Sequence, residues 1–225
     1  MVRYFFGLLQ LPLLTLTTLA GQLALTPALA EGDEELTTYE YYVHRCEKGS
    51  DREAVVACEK ALALRPDDVS TWTNLGVRLG NLGDYEAALA AHNRALRLRP
   101  RYALALLNRC ADQIALGRFI EAVSSCESAL EGDGRWGELS AAIAWYNLGL
   151  AQQGLDRYSE SREALMQAIA LNPQQAAAWN RLGYAWERLG EYDEALEAYR
   201  RAVELAPTTP RYREDLNLVQ RRLQF

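Results

Sequence analysis

Cys46, Cys58, Cys110 and Cys126, with His44 and His92, are the side chains of this sequence best equipped for chemistry. Cysteines bridge in pairs, ligate metals or attack as thiolates. A structural zinc site sets its ligands a few residues apart, as in Cys-x-x-Cys. No such pair occurs, and the histidines do not cluster with the cysteines. The paired acids Asp67–Asp68 and Asp193–Glu194 stand where helices begin, and a carboxylate there answers the free N–H groups of the first turn. No glycine-rich phosphate loop and no nucleophile elbow is present. The expectation is therefore no catalytic residue, no metal site, no cofactor and no enzyme. What remains for the cysteines is pairing, and four of them allow three connectivities.

Pairing requires an oxidising compartment, and the first thirty residues point to one. "MVRYFFGLLQLPLLTLTTLAGQLALTPALAE" has one early charge, Arg3, then an acid-free run rich in Leu and Thr, a break at Pro27, and "ALA" before Glu31. This is the pattern of a secretory signal peptide over residues 1–30, with Ala28 and Ala30 at the small-residue positions before the cut. The alternative is an uncleaved anchor, although Gln10, Pro12, Gln22 and Pro27 interrupt the apolar run. The expected location is the periplasm or a lumenal or extracellular space, with no stable membrane span after cleavage. The chain has 225 residues, is 49% apolar and carries a net charge of −6. Nucleic-acid binding is excluded as an expectation, because phosphate neutralisation needs clustered Lys and Arg, and no basic run reaches five residues.

The elements that position these residues recur. "WNRLGYAWERLGEYDEALEAYRRAVELAP" from Trp179 matches "WTNLGVRLGNLGDYEAALAAHNRALRLRP" from Trp72 and "WYNLGLAQQGLDRYSESREALMQAIALNP" from Trp145. Leu75, Leu148 and Leu182 agree, as do Gly76, Gly149 and Gly183; Ala95, Ala168 and Ala202; and Pro100, Pro173 and Pro207. Weaker copies are "GSDREAVVACEKALALRP" and "GRFIEAVSSCESALEGDG". The turn residues Gly49, Gly83, Gly117, Asp156 and Gly190 are spaced by 34, 34, 39 and 34. Each unit reads as two helices. In the fifth, Trp179, Leu182, Gly183 and Trp186 fall at i, i+3, i+4 and i+7 of the first helix, while Ala195, Tyr199 and Ala202 stripe the second. Proline ends the second helix.

Trp, Leu-Gly, Gly-x-Tyr, Ala, Ala and Pro at this period resemble the tetratricopeptide repeat family. The resemblance implies an all-α, right-handed superhelical solenoid of five helix-turn-helix repeats plus a C-terminal capping helix. The units span 35–68, 69–102, 103–136, 142–175 and 176–209, with a five-residue insertion at 137–141 and a cap at 210–225. In the cap, Tyr212, Leu216, Val219 and Leu223 form the burying stripe. The third unit is degenerate: Arg109 and Cys110 replace Leu-Gly, and its "EGDGRWGELS" loop carries Trp136, which either packs on a neighbouring helix or stands at the mouth of a groove.

Within this frame Cys58 and Cys126 share one position, and each cysteine pair spans one hairpin. The expected bonds are Cys110–Cys126, level across its hairpin, and Cys46–Cys58, about a turn out of level. The alternative is four buried thiols. His92 takes a core position and His44 a surface one, neither beside a serine or cysteine partner. The resemblance also implies a concave face built by the first helices. It carries Tyr39 and Val43; Asn74 and Val77; Leu104 and Asn108; Tyr146, Asn147 and Leu150; and Asn180, Arg181, Tyr184 and Arg188. Asn74, Asn108 and Asn147 fall at one repeat position and suit the backbone of an extended peptide. Thr73 and Val77 stand where a carboxylate clamp would need Lys and Asn, so that clamp is absent as a set. The reading is an exported, non-enzymatic scaffold for an unidentified protein or peptide. The alternative is a self-associating structural protein of the cell envelope.

Overall fold

A computed structural model describes residues 36–137 and 140–224. The signal-peptide segment and part of the 137–141 insertion lie outside the described residues. The described residues form eleven α-helices and no strand: α1 (Thr38–Lys48), α2 (Asp51–Leu64), α3 (Val69–Asn81), α4 (Tyr85–Leu98), α5 (Ala103–Ala115), α6 (Phe119–Leu130), α7 (Ala141–Gly154), α8 (Tyr158–Leu171), α9 (Ala176–Leu189), α10 (Tyr192–Leu205) and α11 (Pro210–Arg222). Consecutive pairs form five antiparallel hairpins, and each second helix packs on the first helix of the next hairpin. The result is an all-α solenoid closed by α11, which packs on α10.

The turns show why glycine recurs. Gly83, Gly117 and Gly190 have φ of 83°, 72° and 85°, in the left-handed region that a Cβ disfavours. Asp156 takes φ 58° at the same position, and its carboxylate accepts the Tyr158 hydroxyl. Gly49 differs: it is extended at φ −69°, so the first hairpin turns by another route. The second helices end alike. Arg65, Arg99, Asn172 and Ala206 have φ between −136° and −139°, the extended state imposed on a residue that precedes proline. The Trp72 and Trp179 indoles then donate to the carbonyls of Pro66 and Pro173 at 2.8 and 2.9 Å.

Inside the second to fifth hairpins one position decides the packing. A Cβ added to Gly183 would lie 2.7 Å from the Tyr199 ring, and one on Gly76 would lie 2.3 Å from the His92 imidazole. Leu165 covers Gly149 in the same way. The third hairpin has Cys110 at the glycine position and Cys126 at the bulky one, and they are disulfide-bonded with Cα atoms 5.4 Å apart. Cys46 and Cys58 are bonded across the first hairpin, with Cα atoms 4.8 Å apart. All four cysteines are fully buried.

The third unit ends without proline, and its loop folds back on the start of α5. The Asp133 carboxylate accepts the N–H groups of Ala103 and Arg135, both at 3.1 Å. It thereby caps α5, whose own N-cap Tyr102 offers no side-chain bond. Trp136 packs against the core around Leu96, Leu106 and Leu107. Of its two readings the structure takes the packed one, and Trp136 is no free anchor. In α11, Val219 is fully buried and Leu216 packs beside Tyr199. Leu223 is 41% exposed, so the buried stripe of the last helix ends a turn earlier than its periodicity suggests.

Candidate functional site

The first helices α1, α3, α5, α7 and α9 touch one another in sequence, whereas no second helix makes sustained contact with the next. The stack therefore closes on the side of the first helices and opens on the other. Along that inner face, the N-terminal residues are committed to the fold. Tyr39 donates its hydroxyl to Asp68, and the Arg65 guanidinium lies 3.9 Å from its ring centre. Burial, then the Asp68 carboxylate, push the Tyr39 phenol above its ordinary value. Val43, Asn74 and Val77 are half-buried. Leu104 lies beneath the loop, 3.2 Å from where a Gly137 Cβ would stand, and the Asn108 amide nitrogen is buried without a partner among the described residues. Tyr146 packs on the Leu165–Leu182 core, and Asn147 is half-buried.

A groove of about 810 Å³ opens at the C-terminal end of this face, between α7, α9 and α11. Leu150, Asn180, Arg181, Tyr184 and Arg188 line it. The structure brings these expected residues together, and the others do not line it. One correction applies within the set. Asn180 is only 5% exposed, because α11 docks beside it and its amide donates to Asp215 at 2.8 Å. It orients the last helix and is not open to a partner.

The wall from α11 was not anticipated. Arg211, Asp215, Leu218 and Arg222 line the groove. Their spacing of i, i+4, i+7 and i+11 is itself a helical stripe, on a face of α11 other than the burying one. That second stripe was the available signal. Four guanidinium groups, those of Arg181, Arg188, Arg211 and Arg222, meet two carboxylates, those of Glu187 and Asp215. Glu187 is 9% exposed. It accepts the Tyr199 hydroxyl at 2.9 Å and pairs with Arg222 at 3.4 Å. Burial first, and this carboxylate second, raise the Tyr199 phenol far above its ordinary value. Arg188 donates to the Tyr184 hydroxyl at 2.9 Å and stands 4.4 Å from the Tyr158 ring centre. The Arg181 guanidinium makes no ion pair among the described residues, which leaves the groove with surplus positive charge.

Two family models describing the tetratricopeptide repeat match the chain, over residues 146–210 and 57–90. The solved structure of MamA residues 41-end from Desulfovibrio magneticus RS-1 superposes with a TM-score of 0.67 at 24% identity, covering 80% of this chain and 99% of that one. The chain carries tetratricopeptide repeats. YrrB, described as a TPR protein with an unusual peptide-binding site, superposes with a TM-score of 0.62 at 23% identity over 76% of this chain and 86% of that one; both likenesses speak to fold alone. Protein FlbA of Caulobacter vibrioides is 30% identical over 121 residues, 52% of this chain and 20% of FlbA. The peroxisomal targeting signal receptor of Eremothecium gossypii is 37% identical over 70 residues, 31% of this chain and 12% of the receptor. The chain thus spans a fifth or less of the length of these curated relatives.

Elsewhere the tetratricopeptide repeat core absorbs the remaining chemistry-bearing groups. His92 is 1% exposed, and its Nδ1 lies 2.8 Å from the Asp112 carboxylate, itself buried. His44 is exposed. Arg109, at the repeat's leucine position, donates to Ser125 at 3.0 Å and to Asn93 at 3.4 Å; burial lowers its pKa. Among the described residues no group of three His, Cys, Asp or Glu side chains is placed to hold a metal, and no helix is long and apolar enough to cross a membrane.

Proposed function

We propose that this tetratricopeptide repeat protein is an exported, non-enzymatic scaffold that holds an extended peptide segment, rich in carboxylates, in the groove between α7, α9 and α11. The observation that carries the reading is the groove's surplus of guanidinium groups beside Tyr184, Leu150 and Leu218. Arginine forks suit carboxylates, and the tyrosine and leucines give apolar contact to the intervening side chains. The signal-like residues 1–30 and the two disulfides support export, because such bonds persist in oxidising compartments. The peptide-binding description of YrrB supports a peptide as the kind of partner. Self-association is the second reading, favoured by the exposed Leu218 and Leu223 of the last helix.

The test is capture from the organism's own envelope fraction, using the wild-type chain and an Arg181→Ala, Tyr184→Ala variant, with bound proteins identified by mass spectrometry. A client held by the wild type and lost by the variant supports the groove. The same set in both forms removes it. Sedimentation across a range of protein concentrations separates a dimer from a client complex. The mass of the N-terminal peptide tests export, with cleavage expected before Glu31.

A further inference from the structure

The opposite face of the solenoid carries a second cleft, of about 770 Å³, between α6 and α8, with α7 as its floor. Its chemistry is the inverse of the inner groove. Glu127 of α6 and Glu131 at its C-cap, one turn apart, form one rim; Glu160 and Glu163 form the other on α8. No lysine or arginine lines it. Of these four glutamates only Glu163 has an ion-pair partner among the described residues, Arg162 at 3.7 Å. Trp145 and Leu148 of α7, Leu130 of α6 and Met166 of α8 give the cleft its apolar lining, and Met166 is 49% exposed.

Gln152 also lines this floor. It is 9% exposed, and its Oε1 is buried with no hydrogen bond from any described residue. The same repeat position holds Leu79 in the second hairpin and Trp186 in the fifth, both packed on core. In the third it holds Gln113, whose Oε1 accepts the Ser125 hydroxyl at 2.6 Å. The fourth hairpin alone presents there a buried acceptor without a donor, a costly arrangement unless a ligand completes it. The rim carboxylates are not grouped as a metal site would need. Spaced negative charge flanking an apolar strip suits a spaced polycation.

We propose that this cleft is a second docking site, which takes an amphipathic peptide segment carrying lysine or arginine on both sides of a bulky apolar side chain. The apolar side chain seats on Trp145 and Met166, the cationic groups meet the glutamate rims, and one donor reaches Gln152 Oε1. The site is independent of the inner groove.

The experiment is fluorescence anisotropy of the whole, disulfide-intact chain with a labelled Lys/Leu amphipathic peptide of about four helical turns. Binding weakened at about 1 M salt is expected. Changing all four rim glutamates to glutamine should weaken it about tenfold or more. The same change at Glu59, Glu194, Glu197 and Glu214 should leave it within about twofold of wild type. Gln152→Leu should raise the melting temperature yet weaken binding about threefold, a pair of signs that a merely structural glutamine would not give. Arg181→Ala with Tyr184→Ala should leave this affinity unchanged. Equal loss from both glutamate sets, equal binding of a Lys/Ser peptide, or unchanged affinity in Gln152→Leu would overturn the proposal. So would concentration-dependent self-association that the rim variant abolishes, since the occupant would then be a second copy.

Discussion

Tyr199 lies flat over Gly183, so close that a Cβ on the glycine would stand 2.7 Å from its ring. The tyrosine is 1% exposed and its hydroxyl is held by Glu187, so the ring has nowhere to retreat. Gly183→Ala should cost about 1–3 kcal/mol through overpacking, despite alanine's better helix propensity. Urea titration of the variant gives the answer: a midpoint at or above wild type would mean that the fifth hairpin is looser than its contacts imply.

The third hairpin fills the same gap with a covalent bond. Cys110 and Cys126 close a loop with a sequence separation of 16, and a loop of that length stabilises by about 3 kcal/mol. Replacing both by serine should lower stability by at least that much, since two buried hydroxyls add desolvation. Differential scanning calorimetry of the oxidised wild-type and oxidised Ser/Ser chains, both keeping the Cys46–Cys58 bond, should show that loss.

Several capping carboxylates set the acid limit. Burial acts to raise Asp68, but bonds from Thr71, Tyr39 and the backbone of Ser70 and Thr71 outweigh it and hold the group below its ordinary value. Asp133 follows the same pattern, with the N–H groups of Ala103 and Arg135 overcoming burial. A carboxyl with a depressed folded pKa contributes stability above its unfolded value, near 4, and that contribution is lost as pH falls through the folded value. The urea midpoint should therefore decline below about pH 4. Asp68→Asn with Asp133→Asn should lower the midpoint at neutral pH and flatten that decline. An unchanged acid profile would place the sensitivity elsewhere.

The inner groove should discriminate by charge. Arg181→Ala should weaken a Glu/Leu peptide by about tenfold, the effect of losing an arginine anchor, and added salt should weaken the wild type in the same direction. Isothermal titration with a Lys/Leu peptide as control decides the matter at this groove. Equal affinity for both peptides in a chain with the outer rim changed to glutamine would remove the charge argument.

The hairpins were legible in the sequence because their signals are local: a left-handed turn wants Gly83, and a helix must stop before Pro207. The cysteine partners followed from that frame. The site was only half legible. Burying stripes announce themselves through periodicity, so Val219 was readable, whereas Leu218 and Arg222 matter through what α11 docks beside. Asn180 shows the same gap from the other side: its repeat position says surface, and only the arrival of Asp215 turns it inward. What Trp136 and Leu104 pack against was not legible, because a loop that caps α5 through Asp133 leaves no periodic trace. Gln152 was visible only as a polar residue at an apolar position, and its meaning depends on a missing donor.

One gap, at a fixed place in the repeat, is filled in four hairpins by Gly76 with His92, Cys110 with Cys126, Gly149 with Leu165, and Gly183 with Tyr199. A lineage that grows by copying such a unit inherits a tolerance with each copy. One duplicate can take up a leucine and another a sulfur bridge without retuning its neighbours, because the mismatch stays inside the hairpin that bears it, whereas His92 also draws on Asp112 of the next hairpin. Novelty in this architecture accumulates behind the faces that meet partners, and the faces are left free to diverge.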